Sequence, residues 1–161
     1  MVVVRGATME EWHVLRDIRL AALREAPGAF LSAYAEQAAS AEADWRDRIS
    51  RGGTFFAYIP EASETEPAGL VGGYQEKPDT VELVSLWVRP QARGRGVGEA
   101  LVTAVIEWAK MRNATSVHLW LMETNRHARV LYERCGFTPT GECQPLPSSS
   151  SRMEIGMIRP L

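Results

Sequence analysis

Residues 81–110 pass from an apolar strand, Val81 to Val88, through a glycine-rich turn, Arg89-Pro90-Gln91-Ala92-Arg93-Gly94-Arg95-Gly96-Val97-Gly98-Glu99-Ala100, into an amphipathic helix. Along that helix Val97, Leu101, Ala104, Val105 and Trp108 recur at spacings of three and four, while Glu99, Thr103, Glu107 and Lys110 take the other side. A strand that feeds a helix so directly calls for a sheet with a helix packed on its face. The rest of the chain has to be built around that unit.

Upstream, the β-branched residues 2–4 read as a strand. Thr8-Met9-Glu10-Glu11 has the Thr-x-x-Glu arrangement that caps a helix, and Trp12, Leu15, Ile18 and Ala22 share one face of it. This helix is expected to end near Pro27, with Gly28 in the following turn, and residues 41–50, capped by Ser40, form a second helix. Strands follow at residues 54–59, 69–75 and 81–88, the last two joined by a turn carrying Pro78-Asp79. Beyond the long helix come a strand at 115–122, a short helix at 126–134 and strands at 137–142 and 153–158, with Pro145 to Ser151 as a connecting loop. Three strands in a row, then strands alternating with helices, give an α/β (α+β) domain. Its mixed central sheet has about six to seven strands, flanked by about four helices. At 161 residues with no internal repeat or linker, residues 1–161 form a single domain.

Composition limits the function classes. Eighteen basic and twenty acidic residues are scattered along the chain, so no electrostatic footprint for nucleic acid exists. The N-terminus MVVVRGATMEEW lacks the long apolar run of a signal peptide or membrane span, which points to a cytoplasmic protein without membrane contact. Two cysteines, Cys135 and Cys143, and three dispersed histidines, His13, His118 and His127, offer neither a disulfide framework nor a metal cluster. The histidines read as ordinary polar positions.

The turn at 89–100 carries chemistry. Gly94, Gly96 and Gly98 let the backbone approach a ligand, and the first-turn N–H groups of the helix point at that ligand with the positive end of the helix dipole. Arg93 and Arg95 add positive charge suited to a pyrophosphate. An isolated glycine turn reads most simply as a tight connection. Here the flanking arginines, the immediate helix and the apolar strand favour phosphate binding. A Walker loop would need Gly-Lys-Ser/Thr, which the chain lacks. A dinucleotide fold would place its glycines after the first strand, whereas four strands precede this turn.

Gln91-x-x-Gly94-x-Gly96 resembles the coenzyme A pyrophosphate signature of the GCN5-related N-acetyltransferases. The segment from Asn125 to Phe137 is similar to that family's Asn-x-x-Ala-x-x-x-Tyr-x-x-x-Gly-Phe motif. The two motifs with their strands cover residues 81–140, and the order of elements from residue 2 onward is compatible with the family's fold. The resemblance implies acetyl-CoA as co-substrate, a primary amine as acceptor, no metal, and direct transfer without a covalent enzyme intermediate. A homodimer is common among such relatives.

The resemblance also implies site residues. Arg93, Gly94, Arg95, Gly96, Val97, Gly98 and Glu99 would hold the pyrophosphate. Leu86, Trp87 and Val88 would line the pantetheine arm, and Asn125, Ala128 and Tyr132 would contact the coenzyme. Asn125 also reads as the N-cap of its helix. Tyr132 falls on the inward stripe with Ala128, Leu131 and Cys135, and the resemblance makes it the general acid. Glu82 shares a strand face with Val84, Leu86 and Val88 if alternation holds, and a carboxyl on an apolar face has a raised pKa that suits a base. A solvated strand end is the other reading of Glu82, with a water chain as base. Glu123 and Glu36 are the next carboxylates, and the region 26–38, with Tyr34 and Glu36, is where acceptor contacts are expected. A non-catalytic coenzyme A-binding or sensing module is the competing function.

Overall fold

The computed structural model describes residues 1–25, 31–146 and 149–161. Its strands are β1 (Val3–Gly6), β2 (Thr54–Tyr58), β3 (Gly69–Lys77), β4 (Thr80–Val88), β5 (Ser116–Met122), β6 (Thr138–Leu146) and β7 (Ser149–Pro160). The helices are α1 (Trp12–Glu25), α2 (Leu31–Ala38), α3 (Glu42–Ser50), α4 (Val97–Met111) and α5 (Arg126–Arg134). The seven strands form one mixed sheet in the order β1-β2-β3-β4-β5-β7-β6. Among the described residues only β4 and β5 run parallel, as a strand, crossover helix and strand require.

Both faces of the sheet are covered. The apolar stripe of α4 buries Val97, Leu101, Val102, Val105 and Ile106 against Val81, Leu83, Val117 and Leu119. Tyr132 and Phe137 extend this cluster beneath α5. Truncating the fully buried Leu101 to Ala would cost about 2–5 kcal/mol. On the opposite face α1 and α3 set Leu15, Ile18, Trp45 and Ile49 on Phe56, Tyr58 and Leu70. Among the described residues no helix is long and apolar enough to cross a membrane.

Four sequence expectations need correction. Residues 31–38, between the two helices expected upstream, form a further helix, α2. The expected stop around Pro27 and Gly28 lies outside the described residues. Ser40 does not cap α3. Its hydroxyl donates to the Glu36 carbonyl, and the Asp44 carboxylate accepts the Ala41 N–H at 2.9 Å instead. Strands β6 and β7 extend well into the expected loop at 145–151, because Pro145 pairs with Met153 and Leu146 with Ser149.

The fourth correction bears on the site. Leu70 pairs with Trp87 but Gly72 pairs with Val84, so β4 carries one extra residue opposite Val71, and Ser85 sits there at φ 61°. A bulge of this kind flips the faces beyond it. Leu86 and Val88 therefore pack on the α4 cluster and Trp87 on the α1 cluster. Leu86 and Val88 thus do not share a face with Glu82, whereas Trp87 does.

Candidate active site

The parallel ladder between β4 and β5 runs through Thr80↔Ser116, Val81↔Val117 and Glu82↔His118, and there it ends. Residues 83–88 continue along β3 alone. Because the Arg89 N–H donates to the Ala68 carbonyl and Trp87 pairs with Leu70, alternation turns the backbone groups of Leu86 and Val88 the other way, into the gap. The gap offers a free strand edge of the kind that an extended arm can pair with.

The glycine turn borders this gap. Gly94 and Gly96 have φ of 78° and 83°, a region that costs side-chain-bearing residues, and a Cβ at either would meet nothing within 4 Å. The loop backbone is thus open to a ligand, and the first turn of α4 begins at once after Gly96. Gly98 differs, since a Cβ there would come 3.0 Å from the Leu131 Cδ2 and 3.9 Å from Val88. Its bareness brings α5 and the β4 edge close to the first turn of α4.

Among the arginines, Arg95 makes no hydrogen bond or ion pair with a described residue and remains available. Arg93 is engaged. Its guanidinium bonds both oxygens of Glu25 at 2.7 Å, and its Nε donates to the Val88 carbonyl at 3.0 Å. Glu25 also accepts from the Trp87 indole N–H. Glu99 lies 3.6 Å from Arg134, in an exposed ion pair.

Helix α5 starts as its sequence requires. The Asn125 side-chain oxygen accepts the Ala128 N–H at 3.1 Å, and the amide NH2 is left for another partner. Tyr132 is buried, its ring 5.8 Å from that of Phe137 in an edge-to-face contact. Its hydroxyl has no hydrogen-bond partner among the described residues. Burial, with a smaller contribution from Cys135, pushes the phenol far above its ordinary value, so it stays protonated.

Glu82 is the buried acid of the site, 6% exposed. Both of its oxygens lie 2.9 Å from His118 Nδ1, and His118 Nε2 lies 2.8 Å from the Glu142 carboxylate, which Thr140 also holds at 2.7 Å. A carboxylate, an imidazole and a second carboxylate thus run from the base of the gap to solvent. Gly156 makes room for them, since a Cβ there would meet Glu142, Thr140 and His118 within 3.0 Å. Burial raises the Glu82 carboxyl, with the His118 contact opposing. Burial alone would lower the imidazole, but its hydrogen bonds to the Glu82 and Glu142 carboxylates outweigh it, and His118 titrates above its ordinary value.

The remaining acceptor-side expectations fall differently. Tyr34 and Glu36 lie on α2, where the Tyr34 hydroxyl accepts from Arg24 and Glu36 is exposed. Their neighbour Gln37 is the residue that reaches inward. Glu123 is exposed beyond the end of β5, five residues past His118, roughly 16 Å along the strand. Sequence reasoning passed over His118, Glu142, Arg19, Arg48 and Gln37. The parallel register that joins Glu82 to His118 has no signature in one sequence.

The sequence profile of the acetyltransferase (GNAT) family matches residues 12–137. An uncharacterised N-acetyltransferase of Methanocaldococcus jannaschii is 42% identical over 62 residues, which cover 38% of this chain and 27% of that protein. The mycothiol acetyltransferase of Beutenbergia cavernae is 39% identical over 72 residues, covering 44% of this chain and 24% of its own. The matches thus span about a quarter of these two relatives. In three dimensions the PaiA N-acetyltransferase of Thermoplasma acidophilum, solved in complex with coenzyme A, superposes with a TM-score of 0.78 at 13% identity, over 100% of this chain and 99% of that one. The fold is shared throughout, and by the profile match over most of its length the chain belongs to the acetyltransferase (GNAT) family.

Proposed function

We propose that the domain transfers the acetyl group of acetyl-CoA directly to a primary amine held in the same complex. The observation that carries this reading is the opened β4 edge, bordered by the left-handed glycines at the start of α4 and by α5 with its unpartnered Tyr132 hydroxyl. Gly94, Gly96 and the first-turn N–H groups of Val97, Gly98 and Glu99 would receive the pyrophosphate, with Arg95 beside them. The pantetheine arm would pair with the backbone of Leu86 and the Val88 N–H, the Val88 carbonyl being held by Arg93, and the free amide of Asn125 would take a coenzyme oxygen. Two free thiols, Cys135 and Cys143, fit a cytoplasmic setting.

In the reaction the amine nitrogen attacks the thioester carbonyl, and a backbone N–H of the opened edge steadies the oxygen as it gains charge. The Glu82–His118–Glu142 chain takes the amine proton, directly or through water, and passes it toward solvent. As the carbon–sulfur bond breaks, the Tyr132 hydroxyl donates to the departing sulfur, leaving an amide and free coenzyme A. No group on the protein becomes acylated. The test is release of free thiol from acetyl-CoA across a panel of primary amines. Amine-dependent release supports transfer, whereas acetyl-CoA binding without release for any amine would favour a coenzyme-sensing module.

A further inference from the structure

On the face of the sheet that carries Glu82, a cavity of about 250 Å³ opens between α1, α3 and the β3–β4 hairpin. Its floor includes Leu70, Tyr74, Val84 and the bulged Ser85, and three arginines, Arg19, Arg48 and Arg51, stand in its wall. Arg51 is neutralised by Asp47, one turn earlier on α3. The other two are not. Arg19 and Arg48 both donate to the same oxygen, Gln37 Oε1, at 3.2 and 3.3 Å, and among the described residues neither forms an ion pair. Arg48 also lies over the Trp45 ring, 4.6 Å from its centroid, with the Asp44 charge offsetting it in part.

Two guanidiniums drawn to one neutral oxygen, at the edge of a cavity, form an arrangement that an anion completes. Burial and the charge of Arg48 pull Arg19 down to about 10, the direction expected of a cation short of counter-charge. A guanidinium offers paired N–H donors that match the oxygens of a carboxylate or a phosphate. The cavity also adjoins the reaction centre. Tyr74, in its lining, pairs across the hairpin with Glu82, and Val84 stands on the same face two residues on, about 7 Å along the strand.

We infer that this cavity is the acceptor subsite and that the acceptor is a small amine bearing an anionic group, carboxylate or phosphate, which Arg19 and Arg48 bind together while the amine faces the Ser85 bulge and Glu82. The inference rests on the acetyl-transfer reading above. It excludes polyamines as preferred acceptors, since their charges would meet Arg19 and Arg48, and it fits the neutral Gln37 as the shared partner of the two arginines, where a carboxylate would have neutralised them.

The test compares matched ligands on the full chain. Wild type and the Arg19→Gln/Arg48→Gln double variant are titrated with N-acetylated α-amino acids, with N-acetylaminomethylphosphonate and with the corresponding N-acetyl amino acid amides. The free amines are assayed in parallel for thiol release from acetyl-CoA. Expected is at least a tenfold preference of wild type for one anionic series over its amide, lost in the double variant, with acetyl-CoA binding unchanged in both proteins. The series preferred tells carboxylate from phosphate. Arg19→Lys should keep part of the preference. Equal binding of anions and amides by wild type, a preference that survives in the double variant, or faster turnover of polyamines would overturn the inference. Failure of acetyl transfer itself would show separately, as absent thiol release with the anion preference intact. A double variant that does not fold would lose acetyl-CoA binding too, and the single Arg19→Gln variant, which removes one of two like charges, then decides by the same preference ratio.

Discussion

Glu82 and His118 face each other across the last rung of the β4–β5 ladder, with both carboxylate oxygens 2.9 Å from the imidazole Nδ1. The contact stands where the two strands part, so one interaction closes the sheet below and places an acid–base pair at the floor of the gap above.

Replacing His118 with Asn removes the partner of a buried carboxyl and should lower stability by roughly 2–3 kcal/mol. The loss depends on pH with a definite sign. His118 titrates above its ordinary value in the fold, so its contribution is complete below the unfolded value near 6.5 and fades as pH rises through the raised folded value. Thermal denaturation of both proteins between pH 5.5 and 9 checks this. The difference in Tm should shrink toward high pH, and one constant across that range would remove the charged imidazole from the account.

Tyr132→Phe removes a hydroxyl that no described residue engages, while the ring keeps its packing on Phe137. Stability should change by less than about 1 kcal/mol and acetyl-CoA affinity should hold. Turnover should fall about a hundredfold, the usual weight of a general acid. Steady-state kinetics beside calorimetry separates the two, and undiminished kcat would take Tyr132 out of the chemistry.

Glu25 holds the guanidinium of Arg93, the residue just before the turn's glycines. Changing Glu25 to Gln frees the guanidinium from an exposed ion pair, a contact of the kind whose weight is at most about 1 kcal/mol. Acetyl-CoA should bind roughly two- to fivefold more tightly to the variant as Arg93 turns to the pyrophosphate. Weaker binding would mean that the Glu25–Arg93 pair instead shapes the turn for its ligand.

Much of this was legible in the chain because its signals are local. The stripe of α4, the glycines before it and the Asn125 cap each lie within one turn or one helix, where spacing alone fixes geometry. The raised Glu82 carboxyl was expected from an apolar strand face, and burial does raise it. Its neighbours were not foreseen. The Ser85 bulge inserts one residue and reverses the alternation that had placed Leu86 and Val88 beside Glu82. His118 comes from a strand 36 residues away, through a parallel register that no local pattern encodes. The same holds for Arg19, Gln37 and Arg48, which meet only because α1, α2 and α3 pack together. On its own helix each reads as one more exposed polar residue.

The proposed pyrophosphate contact depends on the turn at 94–98, where Gly94 and Gly96 hold a left-handed backbone that costs any other residue. Calorimetric titration of acetyl-CoA into wild type and Gly96→Val tests it most directly. Gly96 combines φ 83° with open space around its Cβ position, so valine strains the turn by about 1–2 kcal/mol while its Cβ meets no protein atom within 4 Å. Wild type is expected to bind with micromolar affinity, and the variant to lose that binding while still unfolding cooperatively. Undiminished binding by that folded variant, or none by the wild type, would contradict it.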